Sequence, residues 1–146
     1  MIAGKPKVLF LCTGNSCRSQ MAEGFALQLK GDVIDAFSAG TEAGGLNQRA
    51  VKVMKEAGVD ISSHRSKTVG DLGNIEFDYV ITVCDHAGEN CPFFPARTRI
   101  VHRGFDDPPK LAGDAGTEDE MLSIYRSIRD EIKDYVETLP ESLQWD

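Results

Sequence analysis

Short apolar runs alternate along this chain with segments of helical periodicity, and that alternation narrows the possible folds more than any other feature. Val8 to Leu11 is a continuous apolar run, the pattern of a central parallel strand covered on both faces. A helix follows over residues 19–29, with Met21, Ala22, Phe25, Ala26 and Leu29 at three- and four-residue spacing and Gly31 placed to stop it. Residues 32–40 read as a second strand. Residues 47–57 read as a second helix, with Ala50, Met54 and Ala57 on one face and Gly58 at its end. A third strand is expected over 77–84 and a weaker fourth over 98–105. The last helix opens at Thr117, carries Asp119 and Glu120 in its first turn, and runs through Met121, Tyr125, Ile128, Ile132 and Val136 toward Pro140.

Such an order implies an α/β chain: a single-domain three-layer sandwich over residues 1–146, with a four-stranded parallel sheet flanked by helices. Ligands in sheets of this kind bind outside the carboxyl ends of the strands. Three of the four expected strands end in chemistry: Cys12 after the first, Cys84 after the third, and Asp106 with Asp107 after the fourth. Parallel neighbours lie about 5 Å apart, so Cys12 and Cys84 emerge side by side if strands one and three are adjacent.

The net charge of −7 argues against non-specific binding to nucleic acid or to an anionic membrane. An anion site must therefore be a local positive pocket in a negative molecule. No apolar run approaches the length of a membrane span, and a cytoplasmic monomer is expected. Four cysteines could form two structural disulfides, but a chain of 146 residues has a full core and needs no staples. Functional thiols are the better reading.

The segment Cys12-Thr13-Gly14-Asn15-Ser16-Cys17-Arg18-Ser19 joins a strand to a helix. A loop of small residues there can curl so that successive backbone N–H groups point inward as an anion nest. Gly14 and Asn15 best tolerate the left-handed turns this needs, and Arg18 can close the ring with a bidentate guanidinium. The same donors and the helix dipole would lower the pKa of Cys12 and supply a thiolate. Ser19 could hydrogen-bond that sulfur, cap the helix, or both. Cys17 is expected to pack away from the anion. The segment is not a nucleotide P-loop, because the Gly-Lys pair is missing.

Cys-x5-Arg-Ser after the first strand resembles the signature of low-molecular-weight protein tyrosine phosphatases. The wider string from Leu9 to Phe25 resembles the thioredoxin-coupled arsenate reductases built on that fold, as do "SAGT" at 38–41, "GVDIS" at 58–62 and "GFDDP" at 104–108. The resemblance covers nearly the whole chain and includes a cysteine pair, Cys84 and Cys91, followed by proline. It implies a relay. Cys12 attacks arsenate while Asp107, the acid before Pro108, protonates the departing oxygen; Asp106 competes for that role. Cys84 then attacks the adduct and arsenite leaves, Cys91 attacks Cys84, and thioredoxin reduces the Cys84–Cys91 disulfide. If residues 85–91 are helical when reduced, that turn must unwind, since residues seven apart on a helix lie about 10 Å apart and bonded cysteine Cα atoms within about 7 Å. Gly88 and Pro92 would ease the unwinding.

Some members of the resembled family bind potassium beside the loop through residues matching Asn15, Glu23 and Ser38 and an aspartate whose position falls at Lys67 here. An ammonium there would replace the cation, leaving these four residues to brace the loop. No bound cofactor and no metal are expected; a zinc site pairing Cys84, Cys91 and His86 lacks the ligand number and spacing. His64 and His102 read as surface or core polar residues. Two other functions share the loop: a tyrosine phosphatase acting through a Cys12 phosphocysteine, and a non-catalytic oxyanion-binding or redox-sensing module. The phosphatases usually present tyrosines beside the aspartate, and residues 104–113 contain none.

Overall fold

The computed structural model describes residues 5–83, 98–113 and 116–143. Cys84, His86, Gly88, Cys91, Pro92 and Trp145 lie outside the described residues. Within them the elements run β1 (Lys7–Cys12), α1 (Arg18–Lys30), β2 (Asp35–Gly40), α2 (Gln48–Glu56), β3 (Tyr79–Thr82), β4 (Arg99–His102), α3 (Pro108–Ala112) and α4 (Glu118–Glu137). The four strands form one parallel sheet in the order β2-β1-β3-β4. Strands one and three are thus neighbours, with Leu11 opposite Thr82, and Val83 N–H donates to the Leu11 carbonyl at 2.9 Å.

Side-chain alternation along β1 sorts the core into two layers. Val8, Phe10 and Cys12 face Met21, Phe25, Met54, Tyr125 and Ile132 of the helices. Leu9 and Leu11 face the other way, onto Phe77 and Val80, with Val69, Leu72 and Ile75 closing that side. The apolar run of β1 is fully buried because both of its faces are covered.

Helix ends follow local chemistry. Thr117 caps α4 by accepting from Glu120 N–H, and Asn47 caps α2 by accepting from Ala50 N–H. Past α2, Gly58 takes φ +85, which lets Val59 N–H return to the Met54 carbonyl at 2.9 Å. Two sequence expectations change. Leu29 is 41% exposed rather than on the buried stripe, which ends at Ala26. Ala57 is exposed and Val53 takes its place on the buried face of α2. The short α3 was not visible in the sequence; Pro108 at its first position presets the helical φ but gives no periodicity to read. Among the described residues no helix is long and apolar enough to cross a membrane.

Candidate active site

With β1 between β2 and β3, the chain leaves β1 to one side and returns on the other, so the carboxyl end of β1 is the switch point of the sheet. Cys12 ends β1, 4% exposed, and the loop 13–17 follows it directly into α1. The loop is held from behind. The carbonyls of Cys12, Thr13, Gly14 and Ser16 accept from the N–H groups of Thr41 (3.2 Å), Glu42 (3.0 Å), Gly44 (2.8 Å) and Asn47 (2.9 Å). Ser66 Oγ also donates to the Gly14 carbonyl at 2.8 Å, and the Cys17 carbonyl accepts from Met21 N–H at 2.9 Å. In a trans peptide the C=O and the following N–H point in opposite directions. Carbonyls drawn outward, that of Asn15 by Gln20 Nε2 at 3.2 Å included, therefore turn the N–H groups of Thr13, Gly14, Asn15, Ser16, Cys17 and Arg18 to the opposite side, the arrangement of an anion nest at a helix N-terminus.

The left-handed turn falls on Asn15 alone, at φ +49; Gly14 does not share it. Gly40 has a different role, which the sequence did not reveal. A Cβ there would sit 2.5 Å from the Thr13 carbonyl and 2.8 Å from Asn15 N, so glycine lets β2 run against the loop.

Arg18 opens α1 and is 8% exposed. Its Nη1 donates to the Phe105 carbonyl at 2.9 Å, and its Nη2 lies 3.6 Å from Asp107 Oδ1. Its Nε is buried and has no hydrogen-bond partner among the described residues. A buried charged donor with an unused N–H beside a nest is what an oxyanion would complete. Asp107 is half-buried beside that guanidinium, whereas Asp106 is exposed.

Ser19 is not the helix cap. Cys17 holds that position without a side-chain cap, and Ser19, one residue inside the helix and fully buried, accepts from Asn15 Nδ2 at 2.9 Å. Cys17 is 4% exposed among core residues, and burial pushes its thiol up to about 12, with Arg18 pulling down and Asp107 pushing up. Such a thiol is inert at neutral pH.

Asn15, Glu23, Ser38 and Lys67 converge behind the loop. Asn15 Nδ2 donates to Ser38 Oγ (3.0 Å), which donates to Glu23 Oε1 (2.7 Å); Lys67 N–H donates to Asn15 Oδ1 (2.8 Å), and the Lys67 ammonium lies 3.9 Å from Glu23 Oε1. Asn15 Oδ1, Ser38 Oγ and Glu23 Oε1 each accept from a protein donor, and an ammonium already faces the carboxylate. This donor set does not fit potassium. His64 joins the cluster, its Nδ1 at 3.1 Å from Gln20 Oε1 and 3.7 Å from Glu23 Oε1. Gln20 was missed in the sequence, where nothing distinguishes it from a surface glutamine. His102 stands apart, with Nδ1 2.6 Å from Thr82 Oγ1. Among the described residues no cluster of His, Cys, Asp and Glu could hold a metal ion.

The family model of low molecular weight phosphotyrosine protein phosphatases matches residues 7–146. An arsenate reductase of Halalkalibacterium halodurans is 47% identical over 138 residues, covering 94% of this chain and 97% of that protein. A solved arsenate reductase in its oxidized state superposes with a TM-score of 0.76 at 32% identity, over 94% of this chain and 98% of that one. A thioredoxin-dependent arsenate reductase of Corynebacterium glutamicum superposes with a TM-score of 0.67 at 26% identity, over 97% of this chain and 65% of that one. With a thiol at the strand end, a nest-forming loop after it and a buried arginine opening the next helix, the chain belongs to the low molecular weight phosphotyrosine protein phosphatase family, in the branch of the arsenate reductases.

Proposed function

We propose that this chain reduces arsenate to arsenite by a relay of three thiols. The observation that carries the reading is Arg18: a buried guanidinium, anchored on the Phe105 carbonyl, beside Asp107 and with Nε left over for a tetrahedral oxyanion. The Cys12 thiolate attacks arsenic, Asp107 protonates the departing oxygen, and water leaves a Cys12–arsenic adduct. Attack by the Cys84 thiolate on the Cys12 sulfur forms a Cys12–Cys84 disulfide. The electron pair of the S–As bond stays on arsenic, which departs as arsenite. Two thiols have then supplied the two electrons. Cys91 attacks Cys84, freeing Cys12 and leaving a Cys84–Cys91 disulfide for an external dithiol, thioredoxin by analogy with the Corynebacterium relative. Cys84 is the residue after Val83, which is bonded to the residue before Cys12; that proximity in the chain supports the order.

The test is arsenate-dependent NADPH oxidation coupled through thioredoxin and thioredoxin reductase, run beside p-nitrophenyl phosphate hydrolysis. Reduction should dominate. Phosphatase turnover with no arsenite formed would replace this reading with the phosphocysteine one, which the family match keeps in play. The aromatic residue near the acid, Phe105, is 3% exposed and packed in the core, which disfavours a phosphotyrosine as substrate.

A further inference from the structure

Gln20 is fully buried, and its amide has only one possible orientation. Nε2 lies 3.2 Å from the Asn15 carbonyl, 2.9 Å from Asn15 Oδ1 and 3.0 Å from the Arg65 carbonyl. Three oxygens surround that atom, so it must be the nitrogen, and Oε1 must be the atom that meets His64 Nδ1 at 3.1 Å. The imidazole therefore donates from Nδ1. It does so whether neutral or charged, because protonation occurs at the other ring nitrogen.

Asn15 is the single described residue other than glycine in the left-handed region, which disfavours any residue with a Cβ. Gln20 grips both ends of that residue, its carbonyl and its side chain. Rotation of the Asn15–Ser16 peptide would break the Gln20 bond to the Asn15 carbonyl and swing the Ser16 N–H out of the nest. From the neighbouring 64–67 segment, Lys67 N–H shares Asn15 Oδ1 with Gln20, so the clamp joins α1, the loop and that segment at one atom.

We infer that Gln20 is a positioning residue for the anion nest, holding Asn15 in its left-handed turn, and that His64 acts through it by fixing the orientation of the Gln20 amide. The inference rests on the reading of Cys12 as a thiolate in an oxyanion loop, and it adds two residues to that machinery. A misaligned nest offers Cys12 fewer N–H dipoles, so the thiolate loses stabilisation and the loop loses grip on an anion.

The pH midpoint of Cys12 carboxamidomethylation by iodoacetamide, followed by peptide mass on the full chain, reads this directly, with inorganic phosphate as a protecting probe. Exposure alters the plateau rate, whereas lost dipoles move the midpoint. Gln20→Leu should raise the midpoint by about one pH unit and weaken phosphate protection about tenfold. His64→Leu should move both in the same direction by less, and His64→Asn, whose amide can donate to the same oxygen, should restore them. In the Gln20→Leu background His64→Leu should add nothing. An unchanged midpoint in folded Gln20→Leu, additive effects in the double variant, or equal shifts in His64→Leu and His64→Asn would overturn the inference. If Gln20→Leu does not fold, an unmoved midpoint in His64→Leu overturns it alone. Arsenate turnover is measured in parallel. Its absence from the wild type together with the expected midpoint shifts would sink the arsenate reading and leave this inference standing.

Discussion

The Arg18 guanidinium and the Phe105 carbonyl, 87 residues apart in the chain, are joined by a 2.9 Å hydrogen bond. That bond ties the helix that follows the loop to the segment that carries Asp107. Phe105 N–H in turn donates to the Val83 carbonyl at 3.0 Å, while Arg103 stacks on its ring with the guanidinium carbon 4.3 Å from the centroid. One backbone position therefore sets the distance between the candidate anion-binding arginine and the candidate acid. Disturbing either partner should be felt by both.

Arg18→Lys should lower kcat/KM for arsenate by about 10²- to 10⁴-fold, the loss expected from two charge-assisted hydrogen bonds. An ammonium cannot serve the Phe105 carbonyl and an oxyanion in one geometry. Steady-state kinetics check this, and a decline of less than threefold would contradict the bidentate role.

Asp107→Asn should slow adduct formation by about 10²- to 10⁴-fold, and Asp106→Asn much less. The half-buried carboxylate beside Arg18 and the exposed one next to it predict that ranking. Single-turnover rates decide it; the reverse order would move the acid to Asp106.

Cys12→Ser should abolish reduction and any phosphatase activity while leaving phosphate binding largely intact, because the nest is made of backbone. Cys91→Ser should release about one arsenite per enzyme and stall as a Cys12–Cys84 disulfide, whereas Cys84→Ser should release essentially none by the internal route. Non-reducing peptide mapping distinguishes the trapped species. A full first turnover in Cys84→Ser would break the proposed order.

Gly40→Ala should destabilise the fold by about 1–3 kcal/mol and weaken phosphate binding together, since the new Cβ meets the Thr13 carbonyl and Asn15 N. Urea melts and phosphate titration measure the two effects. A stability loss with unaltered binding would mean that the strand, not the loop, gives way.

The Cys17 thiol contributes to alkaline sensitivity. Its folded value of about 12 lies above the usual thiol value of 9.0, so the folded state holds a proton that the unfolded chain releases between them. Stability from this group is complete below pH 9 and falls as pH rises toward 12, by up to about 1.4 kcal/mol per pH unit. Cys17→Ala should flatten that limb, as measured by denaturant unfolding at pH 8 and pH 10.5; an unchanged slope would show that other groups control it.

The parallel sheet was legible because β1 is buried on both faces and so reads as an unbroken apolar run, while Thr117 and Gly58 mark helix ends by local chemistry. Cys12 and Arg18 could be located because they stand at either end of the loop between the first strand and helix, whereas the choice of Asp107 over Asp106 came from the family likeness. The brace behind the loop could be read only through a family likeness, and only for Asn15, Glu23, Ser38 and Lys67. Gln20 and His64 escaped because their meaning lies in contacts between residues 44 positions apart, which no periodicity records. The sequence leaves Ser19 open between a bond to sulfur and a helix cap, and the cap position goes to Cys17, since a serine near a helix start looks the same whether it bonds the helix or the loop.

The nest is built from peptide groups whose direction is set by the 41–47 segment behind it. Peptide donors measure the size, charge and tetrahedral outline of a guest and are blind to the element at its centre. Phosphate must therefore enter as readily as arsenate, and the protein has no means of refusing it at the door. In the proposed relay discrimination is postponed to the sulfur chemistry: a centre that can take up the electron pair of its bond to Cys12 lets the cycle advance, whereas inorganic phosphate is a competitor that occupies the loop and leaves unchanged.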